Sequence, residues 1–186
     1  MRRRPLDYSM TIEDGAPDSR RTTSGFIFPS RSSQGAACYA LLMFTPSQAD
    51  VRRFFCSVYA KALAGQPIEA IETIASQWLD EHPEYHADFA DVDAALQKMY
   101  EVEAGKTNPF LHLSMHLSIS EQCSIDQPRG IRQAVELLTT RRRSLHEAHH
   151  EVMECLGQMV WESQRAGRPP DGAAYIDCVQ RRATKD

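Results

Sequence analysis

The sequence predicts an all-α fold, a small bundle of five to six helices behind an N-terminal extension without regular structure. Three observations predict it. From Met43 onward, apolar residues recur at three and four positions in one segment after another, which is the period of a helix with one buried face. Start signals precede several of these segments: Thr45 with Pro46, Asn108 with Pro109, and the S-x-x-E box of Ser144 and Glu147. Only one stretch alternates like a strand, and a lone strand cannot satisfy its backbone groups.

The first helix carries Val51, Phe54, Phe55, Val58, Tyr59 and Leu63 on its stripe and stops at Gly65. Pro67 opens the second, with Ile68, Ile71, Ala75, Trp78 and Leu79 in register; it stops near His82, because Pro83 disfavours the α conformation in the residue before it. A shorter segment surrounds Val92 to Tyr100. Next comes FLHLSMHLSIS, in which Leu111, Leu113, Met115, Leu117 and Ile119 alternate strictly. With no strand partner elsewhere it is assigned as a helix, apolar nearly all round and therefore central. Asp126 or Gln127 with Pro128 starts a helix through Ile131, Val135 and Leu138, ending at Arg141, Arg142 and Arg143 beside helix-end carbonyls. The capping box at Ser144 launches the longest helix, through Leu145, Val152, Met153, Leu156, Met159 and Val160 to Gly167. A last helix follows Pro169 and Pro170 through Tyr175, Ile176 and Val179.

Composition narrows the function classes. The chain has 186 residues, 42% hydrophobic and 25% charged, which suits one globular domain, here assigned to 43–186. The net charge of −4 offers no global basic surface for nucleic acid or anionic lipid. The longest apolar run, Ala36 to Phe44, is nine residues, about half a bilayer span. No membrane association is therefore expected. Five cysteines, with no CxxC pair, suggest free thiols and a cytoplasmic, reducing location. Residues 1–42 are rich in Arg, Ser, Gly and Pro, with Asp7, Glu13, Asp14 and Asp18 breaking the acid-poor pattern of a targeting peptide. They are expected to be disordered, with translation starting at Met43 as the favoured explanation of the stretch.

The histidines carry the chemistry. Seven histidines scattered at random over this length would give roughly a quarter of one i,i+4 pair. Three such pairs occur: His82 with His86, His112 with His116, and His146 with His150, the last continuing at the same interval to Glu154. Two imidazoles one helical turn apart can converge on one divalent ion, and a carboxylate can complete the shell. The expected metal ligands are His112, His116, His146, His150 and Glu154, with His82, His86 and His149 as second-tier candidates, and Zn, Fe or Mn as the ion. His82 and His86 span a turn and need not stack. His149 falls in the middle of its helix's apolar face, the place of a core histidine, with His150 and Glu154 progressively farther round. A site there needs the long helix to be covered on a second side, the side of Trp161. Asp80, Glu81 and Glu84 are expected to form hydrated surface.

Known patterns match incompletely. A ferritin-like di-iron bundle needs two E-x-x-H motifs, and only Glu147 with His150 supplies one. H-x-x-x-H and H-x-x-x-E, as His112 with His116 and His150 with Glu154, resemble a haemerythrin-like inventory in reversed chain order. Cys123 and Cys155 sit in apolar helical patterns, where a cysteine is a small buried hydrophobe and not a nucleophile. No catalytic residue is assigned.

Six stretches, MFTPSQADVRRFF, HPEYH, NPFLHLSMHLSISEQ, the DQPRGI start, HEAHHEVMECLGQMVWESQRAGRPPD and AYIDCVQRR, together resemble domain-of-unknown-function family 1841, over Met43 to Arg182. The resemblance implies a small helical protein of the kind found among uncharacterised bacterial proteins, and supplies no catalytic residues. It also implies an acidic residue where this chain has His149, which argues against His149 as a ligand, and it supports a start at Met43. Two functions remain: a metal-binding helical protein, or a metal-free interaction module whose histidines are structural and whose apolar patch binds an unknown partner. A homodimer is compatible with the sequence, although no heptad repeat specifies one.

Overall fold

A computed structural model describes residues 47–100 and 107–185. Every regular element among these residues is helical. In chain order they are α1 (Gln48–Leu63), α2 (Ala70–Glu81), a 3-10 turn (Pro83–Tyr85), α3 (His86–Phe89), α4 (Val92–Gln97), α5 (Pro109–Ile125), α6 (Ile131–Arg142), α7 (Leu145–Ala166) and α8 (Gly172–Thr184). The eight helices exceed the expected five to six because the chain after Pro83 breaks into short pieces. The expected disorder of residues 1–42, the start at Met43 and the Thr45-Pro46 cap lie outside the described residues.

Local signals explain most ends. Ser47 caps α1, its hydroxyl accepting from the Asp50 amide while the Asp50 carboxylate accepts from the Ser47 amide. Asn108 and Pro109 open α5 as expected, the Asn108 side chain accepting from the Phe110 and Leu111 amides. Ser144 caps α7, and Gly167, with φ +58°, ends it in the left-handed region that glycine adopts without a Cβ penalty. The start of α6 is a correction: Asp126 ends α5 in left-handed geometry, and α6 begins at Ile131 after Gly130. Asp126 still satisfies the new helix, its Oδ1 accepting from the Gly130 and Arg132 amides.

Two cores form. Phe55, Val58, Ala75, Trp78, Leu79, Phe89, Phe110 and Leu113 make the first, from α1 to α4 and the start of α5. Ile119, Ile131, Val135, Leu138, Ala148, Val152, Tyr175 and Val179 make the second, from the end of α5 onward. Helix α5 thus belongs to both, which is why its sequence is apolar on every side. Its serines fit because Ser114 and Ser120 donate to carbonyls one turn back, at 2.6 and 2.9 Å. The indole Nε1 of Trp78 donates to Ser120 Oγ at 2.8 Å and ties α2 to α5.

Polar links join neighbouring elements. Arg52, buried on α1, donates to the carbonyls of Ala95 and Leu96 at 2.7 and 3.2 Å and closes the end of α4. The Arg141 Nη1 donates to the carbonyls of Arg182 and Ala183, a helix end as expected, but that of α8. Cys155 and Cys178 form a disulfide between α7 and α8, with Cα atoms 5.9 Å apart. This overturns the expectation of five free thiols and removes the support it gave to a reducing compartment. Cys56 and Cys123 are free, and burial pushes the Cys123 thiol up to about 11, so it is no thiolate nucleophile at neutral pH.

Candidate metal centre

Three segments bring histidines to one point at the seam between the two cores. His112 and His116 project from successive turns of α5 and His146 and His150 from successive turns of α7, as the i,i+4 spacing requires on a helix. The fifth, His82, sits just past the end of α2, where Pro83 opens the 3-10 turn. Its backbone, at φ −126° and ψ 60°, is not helical, and this swings the ring inward and away from a helix face. One ligand atom from each of these five residues lies within 4.8 Å of every other.

The close contacts are all between Nε2 atoms. His82 Nε2 lies 3.0 Å from His116 Nε2 and 3.1 Å from His146 Nε2, and His112 Nε2 lies 3.3 Å from His150 Nε2. With metal–nitrogen bonds of about 2.0 to 2.1 Å, adjacent nitrogens stand about 2.9 Å apart at right angles and about 3.4 Å apart at the tetrahedral angle. The observed separations fall in that interval.

Surrounding groups fix which nitrogen faces the centre. Glu84 Oε1 accepts from His82 Nδ1 at 2.8 Å, so the proton of that ring points outward and the Nε2 lone pair inward. Burial raises the Glu84 carboxyl, but the hydrogen bond from His82, a backbone hydrogen bond and the nearby imidazoles together outweigh it and hold the group below its usual range. Glu84 is therefore more than hydrated surface. His116 Nδ1 lies 3.3 Å from His149 Nδ1, deep in the protein, where both rings are almost fully buried. When Nε2 of His116 offers its lone pair to the centre, its Nδ1–H donates to His149. Trp78 stacks on His116 with ring centroids 4.0 Å apart and packs on His149 at 4.4 Å.

Burial favours the neutral form of His112, His116 and His150. Burial, reinforced by the neighbouring imidazoles, pushes His112 down to about 3 and His116 further in the same direction. Burial likewise lowers His149 to about 3, and lowers His150. Neutral imidazole is the form that ligates metal.

The remaining candidates lie elsewhere. Glu154 pairs with Arg182 of α8 and stays out of the five-ring group. His86 Nε2 donates to the Leu79 carbonyl at 2.9 Å, and its ring packs on Tyr59. His149 stands behind His116 and not beside it. Trp161, expected to mark the second covered side of α7, is half exposed with Arg165 over its ring. The cover comes instead from Trp78 and His82, at the other end of α7. His82 was reachable from sequence through the proline beside it and the carboxylate two residues on, but helical spacing alone placed it in the second tier.

No helix among the described residues is long and apolar enough to cross a membrane. No curated protein and no solved structure matches the chain. The family model described as "Domain of unknown function (DUF1841)" matches residues 47–181, and the chain belongs to that family.

Proposed function

We propose that this protein binds one divalent transition-metal ion through Nε2 of His82, His112, His116, His146 and His150. One observation carries the proposal: five imidazoles from three segments converge with ligand atoms within 4.8 Å of one another. Buried polar groups normally pair with complementary partners. Here, with the Nδ1 proton of His82 held by Glu84, His82 Nε2 is an acceptor with one lone pair facing two other rings. One cation satisfies all these lone pairs together.

Of Zn, Fe and Mn, iron fits the donor set best. Manganese favours oxygen ligands, and structural zinc is almost always four-coordinate. The test is elemental analysis of full-length protein purified without a polyhistidine tag. One equivalent of metal, with a rise in melting temperature on adding that metal to stripped protein, supports the proposal. Metal far below one equivalent, with no thermal shift on adding Zn, Fe or Mn, overturns it.

A further inference from the structure

The relative placement of the five rings defines a coordination shape. Eight of their ten pairs have ring centroids between 4.3 and 5.4 Å apart. His82 and His150 stand farther apart, at 6.3 Å. The tenth pair, His112 and His146, makes no ring contact. For imidazoles bound at about 2.0 to 2.1 Å, centroids of adjacent ligands should stand about 4.6 Å apart and those of opposed ligands about 6.5 Å. A trigonal bipyramid has one opposed pair among its five ligands. A square pyramid has two, sharing no member, with the apex adjacent to all four others. These rings follow the second pattern: His82, His112, His150 and His146 form the square in that order, and His116 is the apex.

A square pyramid is an octahedron with one vertex free. That vertex lies on the side away from His116, which is fully buried against Trp78. Three of the four rings of the square are more open, with His112, His146 and His150 partly exposed and the His146 side chain 25% accessible, while the fourth, His82, is buried. No carboxylate or thiol of the described residues joins the group of ligand atoms. Five neutral imidazoles leave the positive charge of an ion uncompensated. The nearest carboxylates act from outside, Glu84 on His82 Nδ1 at 2.8 Å and Glu147 Oε1 at 3.9 Å from His146 Nδ1. An uncompensated cation in a partly desolvated site attracts a small negative ligand.

We infer that the ion held by these five rings keeps one coordination position free, opposite His116, and takes a small monoanion there. The inference rests on the metal-binding proposal and deepens it: the centre is an open site of the kind that accepts an exogenous ligand, not a closed structural one.

The test uses full-length protein loaded with Co(II), whose visible absorption reports its ligands, titrated with sodium azide. The expected result is a saturable spectral change at one azide per cobalt, with cobalt retained by elemental analysis. Imidazole, a neutral ligand, should bind about tenfold more weakly or worse. Stoichiometric cobalt whose spectrum azide leaves unchanged overturns the free position while the metal-binding proposal stands. Equal affinities for azide and imidazole overturn the preference for an anion. Failure to bind cobalt at all defeats the metal-binding proposal, and the free position falls with it.

Discussion

Replacing His82 by alanine separates a metal centre from a cluster of core histidines. His82 lies outside any helix, so the change leaves helix propensity untouched. It removes one vertex of the five and also disconnects Glu84, among the described residues the only carboxylate within hydrogen-bond reach of a ligand ring. Loss of an outer-shell partner alone typically weakens metal binding by about 10- to 100-fold, so loss of ligand and partner together should reach at least about 100-fold. With metal at about 100 times the wild-type Kd, binding stabilises the native protein by about 2.7 kcal/mol. For a chain of this size that is a rise of about 5 to 11 °C in melting temperature. At the same metal concentration the variant gains about 0.4 kcal/mol, or about 1 to 2 °C. The assay is thermal unfolding of stripped protein with and without metal, compared within each variant so that the cost of truncating a buried ring cancels. The Glu154→Ala protein, which loses a partly exposed ion pair with Arg182, should keep the full metal-dependent shift. A shift preserved in His82→Ala, or lost in Glu154→Ala, would refute the five-ring assignment.

Three further outcomes are expected. Glu84→Gln should weaken metal affinity by about 10- to 100-fold while leaving the stability of the stripped protein nearly unchanged, as measured by competition with a chelator and by urea unfolding. Stripped protein should lose stability in mild acid: His112 and His149 are held near 3 when folded against an ordinary 6.5. Below about 6.5 the unfolded chain gains protons that these rings refuse, so stability is complete above that pH and falls toward 3, by about 1.4 kcal/mol per pH unit for each such ring. Urea midpoints that stay constant from neutral pH into this range would contradict it. Leu113→Ala, at a fully buried position of the first core, should cost about 2 to 5 kcal/mol in urea unfolding.

Much of the fold was legible because helix signals are local. The caps at Asn108 and Ser144 and the stop at Pro83 lie where spacing and turn chemistry put them. The alternating pattern in α5 was the one ambiguous stretch. Its resolution follows from the two cores, since a helix buried on all sides has no polar face to reveal its period. The site was legible where both members of a pair share a helix. Spacing is silent about His82, whose direction is set by a turn and not by a helical face. It does not bring Glu154 into the group of five rings, because each step of four residues rotates about 40° around the axis. By Glu154 the stripe that begins at His146 has turned toward α8 and Arg182. The Cys155–Cys178 pairing joins residues 23 apart in sequence through the packing of two helices, which no short motif encodes.

Helix α5 has no idle face. It supplies Phe110 and Leu113 to one core, Ile119 to the other, and two of the five rings to the seam between them. Sliding its register by one residue would turn every side chain by about 100° and unseat all three neighbourhoods at once. Length changes in this chain are therefore tolerable in the connections and not in this rod, and any transplant of the ring cluster into another scaffold has to carry the whole of α5 with it.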